Sequence, residues 1–144
     1  MNLQASYFSI RNPLEIFDRW LNPYRHKVTS HFREKDIKVA WTRRAEQAFS
    51  LRTTALIVEM QIYFSCVVKK RVLFHEQLDM ESLPITDKIS IISRAVQSDT
   101  CSAEEFARSY PVKQELTSTA AKRMYPRLLN IDYINNQWLG EFTI

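Results

Sequence analysis

The sequence predicts an α+β domain: a mainly antiparallel β-sheet containing one long bent strand, with a C-terminal β-hairpin and three to four short helices on one face. Three observations carry this. In Thr54–His75 the even positions Leu56, Val58, Met60, Ile62, Phe64, Cys66, Val68, Val72 and Phe74 are apolar, and only Lys70 interrupts them. Period-two alternation with this β-branched and aromatic content is a strand pattern. In the tail, a turn at Asn135-Asn136 sets Tyr133 opposite Trp138, Ile131 opposite Gly140 and Leu129 opposite Phe142, the geometry of a two-residue hairpin. Helix-start signals stand at Asn12-Pro13 with Glu15, at Thr42, and at Ser102 with Glu105.

In chain order, Asn12–Leu21 is expected as a helix with Leu14, Phe17 and Leu21 on one face, stopped by Asn22-Pro23. Tyr24–Lys38 is polar, basic and without clear period, so it is expected as loop or extended chain, with a short strand at Ile37–Trp41. A helix from Thr42 to about Leu51 follows, carrying Ala45, Ala48, Phe49 and Arg52 on one side. Arg43 and Arg44 in its first turn oppose the helix dipole. At about 3.3 Å per residue Thr54–His75 is too long for one strand. It must bend, bulge or fold back, and Lys69-Lys70-Arg71 is the expected place. Glu76–Asp87 reads as linker and Lys88–Val96 as strand. Helices are expected at Ser102–Ser109 and Lys113–Tyr125, separated by Pro111, before the terminal hairpin.

At 144 residues the chain is expected to be one domain (1–144), with a basic helical part at 1–52 and a sheet-forming part at 53–144. The 45% apolar and 25% charged content is that of a globular protein. Gly140 is the single glycine, which excludes a P-loop, a GxGxxG turn and a nucleophile elbow, all of which need glycines for close backbone approach. No secretory signal is seen, and Ala55–Val68, interrupted by Glu59 and Gln61, falls short of a spanning helix. Two cysteines in that context suggest a reducing compartment. The expectation is a soluble, cytoplasmic protein without membrane contact. Net charge is +4, and residues 1–52, with ten Lys/Arg against five Asp/Glu, hold the excess.

Candidate chemistry is sparse. Cys66 would point to the apolar face and His75 to the other, so they make no nucleophile–base pair; Cys101 suits a hydrophobic staple against Phe106. His26, His31 and His75 lack metal-ligand spacing, so neither metal nor cofactor is expected. The odd face of the long strand gathers Glu59, Gln61, Tyr63, Ser65, Lys69, Arg71 and His75; its simplest reading is a solvated sheet face.

The function these features favour is a small binding or adaptor protein, not an enzyme. It would meet an anionic partner, nucleic acid or an acidic protein, through Arg25, Lys27, Arg33, Lys35, Lys38, Arg43 and Arg44. Tyr24, Phe32 and Trp41 lie between these cations and would stack on bases, which favours single-stranded nucleic acid. One alternative is a small enzyme or ligand-binding protein using Glu59, Tyr63, Lys69 and Arg71. Another is a winged-helix DNA-binding protein, from the order helix, turn, helix, hairpin over Ser102–Ile144; Pro111 at the turn and an even charge balance count against it.

Overall fold

The computed structural model describes residues 13–64, 68–97, 114–115 and 124–144. In chain order the elements are helix α1 (Pro13–Leu21), strands β1 (His26–Phe32) and β2 (Lys35–Trp41), helix α2 (Arg43–Ser50), and strands β3 (Leu56–Phe64), β4 (Val68–His75), β5 (Leu83–Pro84), β6 (Ile89–Gln97), β7 (Gln114–Glu115), β8 (Leu128–Ile134) and β9 (Gln137–Thr143). They build two sheets. Sheet A runs β1-β2-β8-β9; sheet B runs β4-β3-β6-β5, with β7 also beside β6. The class is α+β as expected, but the sheets are mixed: the β2–β8 and β3–β6 pairs are parallel. Parallel central strands are buried on both faces and read as near-continuous apolar runs, as Leu56-Ile57-Val58 and Ile89–Ile92 do.

Within Thr54–His75 the structure has two strands, β3 and β4. β3 and β4 pair antiparallel from Phe64↔Val68 to Ile57↔His75. The chain has therefore reversed before Val68, earlier than the Lys69–Arg71 triplet expected to turn it. Three residues separate the arms, so paired positions share parity and β4 keeps the phase of β3. Lys70 sits on the apolar face and escapes it by donating from Nζ to the Phe142 carbonyl, 3.0 Å away.

Residues 26–41, expected as loop with a short strand, form a full hairpin from His26↔Trp41 to Phe32↔Lys35. β1 was missed because its inward positions include His26 and Ser30 beside Val28 and Phe32, which blurs the alternation. Its turn places Arg33 at φ 59°, a region unfavourable for non-glycine residues. The Arg33 guanidinium offsets this by donating to the Ser93 carbonyl at 2.7 Å and lying 5.1 Å over the Phe32 ring. The terminal hairpin has the expected register, and Asn135 and Asn136 take φ 52° and 62°, as a type I′ turn requires.

Two helices lie among the described residues, against the three to four expected. Ser102–Ser109 falls outside them, as do Cys66 and Cys101. Gln114-Glu115, expected inside a helix, instead pair as strand with Val96 and Gln97; the open edge of β6 offers a ladder that outweighs local propensity. α2 matches its sequence signal. Thr42 caps it, accepting from Ala45 N at 3.2 Å, and Ala45 and Phe49 are buried. α1 also forms where expected, but none of its residues is buried.

The core lies between the sheets. Ile37, Val39, Trp41, Leu129, Ile131 and Phe142 from sheet A meet Leu56, Val58, Met60, Ile62, Ile89 and Ile91 from sheet B, and Ala45 and Phe49 of α2 join them. Tyr133 and Trp138 are half-buried, with Trp138 stacked on Phe49 (centroids 4.5 Å apart) and tilted against Tyr133 (4.7 Å). Gly140 lies where β9 meets β4: a Cβ there would stand 2.8 Å from Val72 Cγ1 and 3.1 Å from Phe74 Cζ. Gly140→Ala is expected to cost about 1–3 kcal/mol by overpacking. Chemical denaturation checks this against Leu139→Ala, the exposed neighbour, which is expected to change stability little.

Candidate functional site

Two polar assemblies are built on the outer faces of the two sheets. The first centres on Asp132 of β8. Alternation puts Leu129 and Ile131 in the core and Asp132 on the outer face of sheet A, yet its side chain is only 2% exposed. Its Oδ1 accepts from Thr42 Oγ1 (2.6 Å), Arg44 Nε (2.8 Å) and the Tyr133 backbone N–H (2.8 Å). Its Oδ2 accepts from Arg44 Nη2 (2.7 Å) and Arg19 Nη2 (3.0 Å). Arg44 also reaches Asp18 of α1, at 2.8 Å. One carboxylate thus joins β8, the start of α2 and α1. Burial disfavours ionisation of Asp132, but the hydrogen bonds from Arg44, Thr42 and Tyr133 N outweigh it and hold its pKa at about 2. Hydrogen bonds to Asp132 and Asp18 raise the pKa of Arg44, and the bond from Arg44 lowers that of Asp18.

The seven cations singled out in the sequence divide accordingly. Arg44 is spent inside this assembly. Arg25, Lys27, Arg33, Lys35, Lys38 and Arg43 are exposed. Lys27 and Lys38 share the outer face of sheet A, since Lys27 pairs with Ala40 and Lys38 with Thr29. Arg25 precedes β1 and Arg43 opens α2 at the same end of the hairpin, while Arg33 and Lys35 stand at the far tip. Lys35 Nζ lies 5.6 Å over the Tyr125 ring. The aromatic residues between these cations are not available for stacking: Phe32 and Trp41 are core residues, 8% and 6% exposed, and Tyr24 is half-buried under the Arg19 guanidinium, 4.3 Å from its ring centroid.

The second assembly lies on the outer face of sheet B. The pairings Ile57↔His75, Gln61↔Arg71 and Tyr63↔Lys69, with Gln61↔Arg94 across the parallel ladder, put these side chains on one face. The sequence suggested a solvated face; instead Glu59, Gln61 and Tyr63 are fully buried, and their β6 neighbours Ile92 and Val96 are buried with them. Glu59 is held by Arg94 (Nη2 2.9 and 3.0 Å, Nε 3.2 Å), by Gln61 Nε2 (2.8 Å) and by His75 Nε2 (3.0 Å). Arg71 Nε donates to Gln61 Oε1 at 2.6 Å. Of the candidates Glu59, Tyr63, Lys69 and Arg71, the first and last enter one network, while Lys69 is exposed at the rim. Arg94 was missed, and no local signal announces it: a parallel partner 35 residues away brings it to Glu59. The Asp132 assembly had one signal, the two arginines in the first turn of α2, which call for carboxylates nearby.

Among the described residues no three His, Cys, Asp or Glu side chains come together to hold a metal ion, and no helix is long and apolar enough to cross a membrane. Compared with known proteins, the chain matches no family model, no curated protein and no solved structure.

The Asp132 assembly makes stability sensitive to acid. The folded pKa of about 2 lies below the ordinary 3.8, so its contribution, roughly 2 kcal/mol, is present above pH 4 and lost as pH falls from about 4 through 2. Thermal melts by circular dichroism are expected to lose stability across that window in the native chain, and less steeply in Asp132→Asn, which starts lower.

Proposed function

We propose that the chain is a non-enzymatic binding protein that meets an anionic partner through the exposed cations of residues 24–44. The observation that carries this is the division of the basic residues: Arg44 is neutralised internally, while the six others stay at the surface. The burial of Phe32 and Trp41 removes the preference for single strands, so attraction to regularly spaced negative charge is what remains. Such binding is dominated by counterion release and falls linearly in log–log form with salt. The test is fluorescence anisotropy with single- and double-stranded oligonucleotides and heparin over a salt series. The native chain is expected to bind all three at low salt without favouring single strands. Arg25→Glu/Lys27→Glu/Arg43→Glu is expected to abolish binding with the fold intact; Arg44 is left alone because its loss would open the Asp132 assembly. Binding unchanged by the triple substitution overturns the proposal.

A second reading is a small-ligand site on the outer face of sheet B. It is favoured by the buried Glu59 network, in which the Arg94 guanidinium and the His75 imidazole hold a single carboxylate and Arg71 joins through Gln61. Buried ion pairs stabilise weakly, so their placement in the central strand invites a ligand role. A small anion would meet Arg71, His75 and Arg94. Phosphate or a dicarboxylate at constant ionic strength is then expected to raise the melting temperature of the native chain, and not that of Arg71→Gln. Equal shifts in both chains would remove this reading.

A further inference from the structure

α1 is mounted upside down. The 3.6-residue period puts Ile16, Phe17, Trp20 and Leu21 on one half of the helix and Glu15, Asp18, Arg19 and Asn22 on the other. A surface helix ordinarily turns its apolar half to the core. Here the polar half faces the protein: Arg19 is paired with Asp132 and Asp18 with Arg44, and these two are the only residues of α1 that are even half-buried. The apolar half points outward, with Trp20 75%, Phe17 58%, Leu21 55% and Ile16 53% exposed. Four neighbouring large apolar side chains form a contiguous patch of the kind that marks an interaction surface. Two ion pairs to a buried carboxylate and its arginine hold it in that orientation.

The setting of this ridge indicates what it meets. α1 rests over Asp132, on the outer face of sheet A, the face that also carries Lys27 and Lys38. Arg25 follows the Tyr24 ring on which Arg19 lies, and Arg43 adjoins the Arg44 that grips α1. Exposed cations therefore border an exposed apolar ridge containing Trp and Phe. Asp18 of α1 and Asp132 of β8 beneath it are paired with arginines, and Glu141 of β9 is exposed. Aromatic and aliphatic residues at the level of lipid headgroups, flanked by Lys and Arg, are the features of a helix lying in a membrane interface.

We propose that α1 docks in the plane of an anionic lipid surface, its apolar ridge entering the interfacial layer while Arg25, Lys27 and Arg43 meet the headgroups. This rests on the anionic-partner proposal and narrows the partner to lipid; it departs from the expectation of no membrane contact and requires no spanning segment. The four apolar side chains supply the hydrophobic part of the free energy, and the cations supply selectivity for acidic headgroups.

The test is co-sedimentation of the full chain with phosphatidylcholine vesicles, with and without phosphatidylserine, alongside heparin binding. Phe17→Ser/Trp20→Ser is the informative variant: both side chains are exposed, so circular dichroism should show an unchanged fold. The native chain is expected to bind the acidic vesicles and not the neutral ones. The variant is expected to bind them roughly tenfold or more weakly while retaining heparin affinity. Brominated acyl chains should quench tryptophan fluorescence in the native chain through Trp20, the most exposed of the three tryptophans. Equal vesicle binding by both chains would overturn docking through α1 and leave the electrostatic proposal standing. Heparin binding without any vesicle binding would overturn lipid as the partner, as would self-association lost in the variant without vesicle binding. Failure to bind heparin or vesicles overturns both proposals together.

Discussion

Asp132 is the constraint on which the arrangement of the described residues depends. A carboxylate buried on the outer face of sheet A, beneath α1 and the start of α2, must be paired, since an uncompensated buried charge costs several kcal/mol. Thr42, Arg44, Arg19 and the Tyr133 amide supply its partners, and two of them serve a second element. Thr42 is also the cap of α2, and Arg44 is also the clamp on α1. Satisfying one group thus fixes where the two helices leave and approach sheet A. It also orients α1, whose charged half is tied inward by the ion pairs of Arg19 with Asp132 and of Asp18 with Arg44.

The near absence of glycine shapes the backbone. Tight hairpins need residues at positive φ, where glycine is the least costly choice. Here Asn135, Asn136 and Arg33 take those positions; asparagine tolerates the left-handed region, and Arg33 is anchored by its own side chain to Ser93. The single glycine is used for close approach instead. At Gly140 the edge strands β4 and β9 come together, and the Lys70 bond to the Phe142 carbonyl ties the same edge. The sheets meet there without room for one more methyl group.

The two polar faces differ in what they leave for a partner. On sheet B the charges are sunk in the central strand and directed at one another, with Glu59 accepting from three side chains. On sheet A the Asp132 carboxylate is quenched by arginines, while Arg25, Lys27, Lys38 and Arg43 stay exposed. A network that uses its hydrogen bonds internally is costly to reorganise, whereas exposed cations exchange only counterions on meeting an anion. That contrast is why the sheet A face carries the main functional proposal.

By itself the sequence determined the local elements whose signals are short in range. These are the capped α2, the Pro13 start of α1, the Asn135-Asn136 hairpin with its register, and strands within Thr54–His75 and Lys88–Val96. In each, the determining physics, whether a cap, a turn or an alternating pattern, acts within a few residues. It also grouped Glu59, Gln61, Arg71 and His75 correctly on one face, because side-chain parity is the same in β3 and β4 although the reversal was expected at Lys69–Arg71. Only the tertiary structure decided that this face is buried, that Arg94 completes it, that sheets A and B are each joined by a parallel pair, and that Arg44 is sequestered while its neighbours are not. Those outcomes depend on contacts between residues tens of positions apart, such as Arg44 with Asp132. The orientation of α1 belongs with them: its amphipathic pattern specified two unlike halves, and only the position of a buried carboxylate determined which half faced the protein.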